Sequence, residues 1–468
     1  MKKRKNSFLR KHPKTIFNIM NKDILIANKI ARAVNDAGGC AYYVGGCVRD
    51  KLLGIPSGDL DIEVHGITPD TLDGILDQIG HTREVGLSFG IWSLDDSDID
   101  IAMPRLEEAT GRGHRDFKTH VDPYLGTEKA SRRRDFTVNA IMENVLTHEL
   151  VDHYGGQTDL KNGILRHVND ESFAEDPLRV LRGAGFAARF GFTVADETLE
   201  LFRCMQLEKL SCERVFGELA KALLKADKPS VFFDVLKQTG QLDTWFPEIK
   251  ALIGVPQSPI YHAEGDVYNH TMLVLDEAAK LRLKAKRPLY FMLSALCHDL
   301  GKTVTTAELD GKIHAFGHET EGLSLIKKFL HRLTNESDLR KYVLNMTKLH
   351  MRPNMLVKQN AGKKSYNRMF DESIEAHDLL LLAKADFYGS VSNEKEPYES
   401  TEERLHSALD EFHELMSRPY VAGADLIDAG LTPGEDFKRL LDHAHKLRLA
   451  GVPKKEALAQ VLAEAKKS

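Results

Sequence analysis

The pattern of apolar and polar positions changes character once along this chain. Up to about residue 150 it alternates with a period of two in several short runs, and beyond Leu160 it follows helical spacing almost to the C-terminus. Asp59-Leu60-Asp61-Ile62-Glu63-Val64 reads as a strand with one acidic and one apolar face, and Asp98-Ile99-Asp100-Ile101 repeats the alternation. Cys40 to Val44 reads as a buried strand. A helix capped by Asn21 and running to Asp36 precedes it, ended by Gly38-Gly39. Residues 70–79 predict another helix, with strands near 83–94 and 98–103. Segments 171–190, 196–226 and 229–240 carry helical spacing and few β-branched runs. The fold class expected is therefore α+β and multidomain: a head with a mixed sheet, then an all-helical remainder.

At 468 residues the chain exceeds one core, and length alone suggests about three domains. Pro247, Pro256 and Pro259 mark a boundary near 250–265, and the breaker-rich residues 390–397 mark a second near 390–402. The divisions expected are 1–21, 22–160, 161–250, 262–392 and 403–468. A hydrophobic content of 42% and a charged content of 28% are ordinary for a soluble globular protein. The net charge of −5 leaves any nucleic-acid surface to a local basic face. The first fourteen residues are strongly basic and read as a solvated tail, or as an arm that touches phosphates. Five cysteines without metal spacing read as reduced thiols of a cytoplasmic protein, and no apolar run approaches a membrane span.

Candidate chemistry falls in two places. In the first, Gly45-Gly46-Cys47-Val48-Arg49-Asp50 precedes Asp59 and Asp61. Gly45 and Gly46 let backbone N–H groups approach a phosphate, with Arg49 beside them. Two carboxylates on one strand face hold Mg²⁺ for a two-metal nucleotidyl transfer, with Asp100 as a third catalytic candidate on a neighbouring strand. Arg132-Arg133-Arg134-Asp135 then offers guanidinium forks for triphosphate oxygens and a carboxylate for a ribose hydroxyl. In Glu175-Asp176-Pro177-Leu178-Arg179-Val180-Leu181-Arg182 the charges lie one helical turn apart. One reading is a surface salt bridge; the other is a base-reading pair. A carboxylate that accepts from an exocyclic amine and a guanidinium that donates to a ring nitrogen fit cytosine and adenine, and oppose the N–H of uracil and guanine.

In the second place, His270 opens an apparent helix, His298-Asp299 sits in an apolar run before Gly301-Lys302, and Asp386 follows. Imidazole and carboxylate together suit Ni, Mn, Co, Fe or Zn. His314, His318 and His350 are candidates for a second metal position or a phosphate contact. Lys438, Arg439, Lys446, Arg448, Lys454 and Lys455 in the last segment, and Lys280, Arg282, Lys284, Lys286 and Arg287, read either as phosphate contacts or as solvated helix faces.

Residues 22 to about 250 resemble the head and neck of the bacterial class II tRNA nucleotidyltransferase (CCA-adding enzyme) and poly(A) polymerase family. Gly45-Gly46-x-Val48-Arg49-Asp50 with Asp59-x-Asp61, Arg133-Arg134-Asp135-Phe136, Asp152 to Gly156, Glu175-Asp176-x-x-Arg179 and Glu213-Arg214 carry the likeness in the family's order. It implies addition of C, C and A to tRNA from CTP and ATP with Mg²⁺. It also implies that 161–250 is a helical RNA-binding neck and that residues 107–129 form a flexible loop used in switching between nucleotides. Residues 262–392 resemble the HD phosphohydrolase superfamily, whose metal ligands map onto His270, His298, Asp299 and Asp386. The alternatives are a poly(A) polymerase, an A-adding or CC-adding partial enzyme, and an HD phosphohydrolase with an RNA-binding head.

Overall fold

The computed structural model describes residues 13–56, 60–80, 82–86, 90–95, 97–109, 117–392 and 397–466, with side chains of 13–21, 82–86 and 106–119 left aside. The chain divides into two compact units, Met1–Leu210 and Ser211–Ser468.

The first unit is built on strands β1 (Cys40–Val44), β2 (Leu60–His65), β3 (Thr82–Gly86), β4 (Ile91–Leu94), β5 (Ile99–Ala102), β6 (Arg105–Ala109), β7 (Phe117–Val121), β8 (Met142–Asn144) and β9 (Leu150–Val151). Seven of them form one mixed sheet in the order β3-β4-β5-β2-β1-β8-β9. Only β2 and β5 run parallel; the other neighbours are antiparallel. The register sets Asp61 opposite Asp100 and Ile62 opposite Ile101. Because side chains alternate, the apolar members Ile62, Val64, Ile99 and Ile101 all enter the core, where Leu72, Leu76, Ile30 and Val34 of two helices meet them. The acidic members share the other face.

Those two helices are Pro13–Asp36 and Pro69–Ile79, and they pack on each other. The second is capped by Thr68, whose hydroxyl accepts from the Thr71 N–H at 3.3 Å, with proline at its start. Three expectations change. The first helix begins at Pro13 and not at Asn21, since a proline at the first helical position has no N–H to satisfy. The single strand near 83–94 is the antiparallel pair β3 and β4, and Gly90, at φ 60°, admits the left-handed turn into β4. The expected flexible loop 107–129 contains an antiparallel ladder, from Arg105 opposite Val121 to Ala109 opposite Phe117, and then the helix Thr127–Arg132. Residues 110–116, which include Gly111-Arg112-Gly113, lie outside the described residues.

The second unit is helical. Val267–Leu281 packs along Ala376–Gly389, and Pro288–Cys297 along Ser337–Leu349, around buried Phe291, Leu293, Leu296, Tyr342, Leu379 and Leu382. The last segment has its own small core of Leu426, Leu440, Ala444 and Val461. Several cations read as phosphate contacts are held by protein groups. Arg448 donates to the carbonyls of Leu415, Met416 and Arg418 at 3.1, 2.7 and 2.7 Å, closing the end of the Glu399–Ser417 helix. Lys454 pairs with Asp425 at 2.8 Å, Arg439 with Glu464, and Arg282 donates to the Ala226 carbonyl at 2.7 Å. No helix among the described residues is long and apolar enough to cross a membrane.

Gly156 opens the Gly156–Asn162 helix against the Thr137 backbone, and a Cβ there would collide with the Thr137 carbonyl and the Ile141 side chain. Gly156→Ala is therefore expected to lower head stability by about 2 kcal/mol, the usual cost of overpacking. The urea unfolding midpoint checks it.

Candidate functional site

The acidic face of the sheet carries the first candidate site. Asp61 and Asp100 stand side by side, since directly opposed residues of paired strands point the same way. Asp59 lies outside the described residues. Beside the pair, Gly45 takes φ 74° and starts the Gly46–Leu52 helix. A Cβ at Gly45 would stand 3.0 Å from Arg134 Nη1 and 3.7 Å from Asp61 Oδ2, so glycine keeps open a small volume onto which an arginine and a carboxylate converge. The donors there are oxygens, the set a hard cation takes, and the residues present fit Mg²⁺.

Beneath Arg133 and Arg134 lies Glu63, on the same face as Asp61. Its Oε2 is 3.3 Å from Arg134 Nη2 and 3.6 Å from Arg133 Nη2, and its Oε1 is 3.0 Å from His65 Nε2. Burial alone would raise this carboxyl; His65, Arg134 and Arg133 outweigh it and hold it at about 2.

The other arginines are placed differently from expectation. Arg49 Nη2 stands 3.4 Å from where a Cβ of Gly46 would be, yet its donors go to protein groups. Its Nε and Nη2 donate to Asp50 Oδ1 at 2.8 and 2.6 Å, its Nη1 donates to Asn139 Oδ1 at 2.5 Å, and its plane lies 5.0 and 4.5 Å from the Phe186 and Phe190 rings. With 4% of its side chain exposed, its guanidinium is committed to these partners at the wall of the site. Asp135 is likewise committed: Oδ2 accepts both Nε and Nη2 of Arg182 at 2.8 and 2.6 Å, and Oδ1 accepts the N–H of Phe136 and the Asn139 amide at 2.8 Å each. Arg182 is therefore a partner of Asp135. Arg179 donates Nη1 to the Ser172 carbonyl at 2.8 Å and Nη2 to the Arg133 carbonyl at 2.7 Å, which ties the base-reading candidate to the arginine pair. Asp176 Oδ1 accepts from the Leu178 N–H at 3.1 Å, at the start of the helix that carries Arg179.

The second candidate site lies in the helical unit and brings together all four residues expected there. His270 Nε2 stands 3.1 Å from Asp386 Oδ1 and 3.5 Å from Asp299 Oδ2, and His298 Nε2 stands 3.2 Å from Asp299 Oδ2. His318 and His350 join them: their Nε2 atoms lie 3.2 and 3.8 Å from Asp299 Oδ1 and 3.3 Å from each other. His314 does not; it ends a short strand and stacks on Phe316. The ring orientations have one cause. His298, His318 and His350 each donate Nδ1–H to the carbonyl three residues earlier, Ala295, Ala315 and Thr347, at 2.8, 2.8 and 2.7 Å. His270 turns its Nδ1 to Glu264 Oε1 at 2.9 Å. A donor committed at Nδ1 leaves Nε2 as a lone pair, so four lone pairs face two carboxylates.

Asp299 Oδ1 is buried and makes no hydrogen bond of good geometry, although two imidazole nitrogens surround it. That is the environment of a metal ligand, and the mixed nitrogen and oxygen donors fit a transition metal. Burial alone would raise Asp299; His298 and Lys302, whose Nζ is 2.7 Å from Oδ2, hold it well below the carboxylate range. Burial, aided by His298 and His318, holds His350 at about 3, so its ring is neutral at pH 7.

Three family models match parts of the chain. Residues 41–166 match the Poly A polymerase head domain, residues 191–253 a probable RNA and SrmB-binding site of polymerase A, and residues 267–415 the HD domain. The multifunctional CCA protein of Laribacter hongkongensis is 39% identical over 405 residues, covering 83% of this chain and 91% of that one. The multifunctional CCA protein of Burkholderia ambifaria is 36% identical over 436 residues, covering 89% and 98%. This chain belongs to the multifunctional CCA protein family. Its fold is that of the Thermotoga maritima CCA-adding enzyme complexed with tRNA, at TM-score 0.61, 21% identity and 97% coverage of each chain. The Bacillus stearothermophilus CCA-adding enzyme in complex with CTP gives TM-score 0.63 at 21% identity, covering 95% of this chain and 98% of that one. Membership in the CCA protein family implies metal dependence for both the head and the HD domain.

Sequence reasoning passed over Glu63, Glu264 and Lys302. Glu63 carried a signal, since it repeats the Asp59-x-Asp61 spacing on the same strand face. Glu264 carried little, because it lies in a loop and acts through His270 and the Val391 N–H, which Oε2 accepts at 2.9 Å.

Arg49→Ala would strand the buried Asp50 and Asn139, so it is expected to cost the head about 3 kcal/mol, the scale of breaking a buried ion pair. Urea unfolding measures it; an unchanged midpoint with weakened nucleotide binding would instead return Arg49 to the triphosphate.

Proposed function

We propose that this chain adds C, C and A in turn to the 3′ end of tRNA, taking CTP and ATP and releasing pyrophosphate, in the cytoplasm. The observation that carries this reading is Asp61 opposite Asp100 on parallel strands, beside Arg134 and the Gly45 turn. It is supported by relatives named for CCA addition that match over most of their length, and by neighbours solved with tRNA, with ATP and with CTP. Those names favour full CCA addition over poly(A) synthesis, partial addition or a head that only binds RNA.

Asp59, Asp61 and Asp100 are the proposed Mg²⁺ carboxylates. Bound there, the ions supply charge stabilisation to the attacking and leaving oxygens. The tRNA 3′-hydroxyl oxygen forms a bond to the α-phosphorus as the bond to the pyrophosphate oxygen breaks, and the hydroxyl proton passes to water. Gly45 and Gly46 admit the phosphates, and Arg133 and Arg134 orient triphosphate and ribose. Arg49, Asp135 and Arg182 hold the wall behind them. Arg179 spends one N–H of each terminal nitrogen on backbone carbonyls, and a guanidinium carries five donors. With Asp176 accepting from the exocyclic amine, its remaining donors suit the ring acceptors of cytosine and adenine.

In the HD domain, Asp299 is proposed to be shared by two metal positions, one with His270, His298 and Asp386, the other with His318 and His350. Ni, Mn, Co, Fe or Zn fits these donors. Bound there, the ions supply an acidified water for phosphate-ester hydrolysis. Lys302 balances the charge of Asp299, and Glu264 keeps His270 turned inward.

With tRNA lacking its last three nucleotides and Mg²⁺, CTP alone should give two additions and a third should need ATP, read at single-nucleotide resolution. A long ATP ladder would make the protein a poly(A) polymerase. Asp61→Ala should abolish addition, and His298→Ala should spare it; loss of addition in both would break the two-site reading.

Metal content gives an independent check on the HD centre. After loading with Ni²⁺ or Mn²⁺ and gel filtration, elemental analysis of His350→Ala should show one equivalent fewer than the parent protein. Asp299→Asn should lose both HD equivalents, because its two oxygens serve both positions.

A further inference from the structure

We propose that Glu63 is a positioning residue for nucleotide addition: its buried carboxylate clamps Arg133 and Arg134 in the pose that meets the incoming nucleotide. This rests on the nucleotide-addition reading above.

Glu63 cannot touch substrate itself. Its side chain is 2% exposed, while those of Arg133 and Arg134 are 28% and 22% exposed above it. The carboxylate is the floor, and the guanidiniums rise from it toward the cleft. Both oxygens are assigned, Oε2 to the two arginines and Oε1 to His65. One oxygen thus fixes two guanidiniums that would otherwise repel each other across a short gap.

Arg134 has a second carboxylate within reach. Its Nη1 and Asp61 Oδ2 lie 3.0 and 3.7 Å from the same point, the absent Cβ of Gly45. If the charge of Glu63 is lost, the nearest anion for that guanidinium is the one proposed to hold Mg²⁺. The balance of Arg134 between the two carboxylates would then shift toward Asp61, and both guanidiniums would lose the anchor they share. Ground-state binding of a triphosphate tolerates such freedom. In-line transfer does not, because it depends on alignment to fractions of an ångström. The loss therefore belongs to turnover and not to affinity.

The strand geometry adds a link. Glu63 and Asp61 are successive inward positions of β2, about 7 Å apart along the strand. One rigid element thus carries both the metal carboxylate and the clamp for the nucleotide arginines. Through the Arg133 carbonyl, which accepts from Arg179 Nη2 at 2.7 Å, the clamp also reaches the base-reading pair.

Glu63→Gln keeps the shape and removes the charge; Glu63→Asp keeps the charge and shortens the reach. Steady-state addition to tRNA lacking its last three nucleotides should show kcat for Glu63→Gln lowered at least tenfold. KM for CTP and ATP should stay within threefold, and equilibrium CTP binding measured without Mg²⁺ should be unchanged or tighter. Glu63→Asp, with the charge kept and the reach shortened, should fall between the parent protein and Glu63→Gln, with kcat roughly threefold to fivefold below wild type. Combining Glu63→Gln with Arg134→Lys should cost little beyond the larger single loss, because both act through one contact. Wild-type kcat in Glu63→Gln, a KM effect with kcat intact, or losses that multiply in the double variant would each overturn the proposal. If Glu63→Gln does not fold, Glu63→Asp carries the test: a folded variant with kcat reduced threefold or more and KM held supports the clamp, and one with unchanged kcat sinks it. Failure of the parent protein to add C and A would refute the nucleotide-addition reading instead.

Discussion

A carboxylate taken out of water must be met by charge or by several donors, and this requirement organises both halves of the protein. In the head, Glu63, Asp50 and Asp135 are buried, and each draws in arginine: Arg133 and Arg134, Arg49 and Arg189, and Arg182 in turn. In the helical unit, Asp299 draws in Lys302 and the rings of His298, His318 and His350. The pairings fix long side chains that would otherwise sample many rotamers. They also leave a small set of polar atoms directed outward, and those atoms make up the two sites.

The same requirement separates supporting from reacting groups within one motif. Arg49, beside the glycine turn, and Arg134, in the later arginine run, both read from sequence as phosphate ligands. In the structure Arg49 spends its donors on Asp50 and Asn139 under two phenylalanine rings, whereas Arg134 meets Glu63 at its base and the Gly45 turn at its tip. The difference is burial. Burial depends on which helix covers the residue, here Leu178–Phe190 with Phe186 and Phe190, more than a hundred residues along the chain.

Much of the architecture was legible because period-two and helical patterns report which face is buried. The bounds expected for β1 hold, the acidic alternation of β2 and β5 put Asp61 and Asp100 on one face, and His270, His298, Asp299 and Asp386 come together as the resemblance to the HD superfamily implied. What sequence did not show was non-local. The β6–β7 ladder needs its partner strand to be recognised, and a glycine-rich stretch between two short strands reads as a loop. The helix start at Pro13 was hidden behind basic composition, which carries no period. Glu264 binds its targets from a loop, where no periodicity marks which way a side chain turns.

The two sites use opposite devices to set protonation. In the head, His65, Arg134 and Arg133 hold Glu63 ionised against the effect of its burial. In the HD centre, backbone carbonyls fix three imidazoles at Nδ1 and turn their Nε2 atoms toward the carboxylates, while burial keeps His350 neutral. Oxygen donors beside fixed cations suit a hard, exchangeable ion that arrives with a nucleotide. Preset imidazole lone pairs around a carboxylate suit a resident transition metal. Donor chemistry thus separates the kinds of ion that the two candidate sites suit.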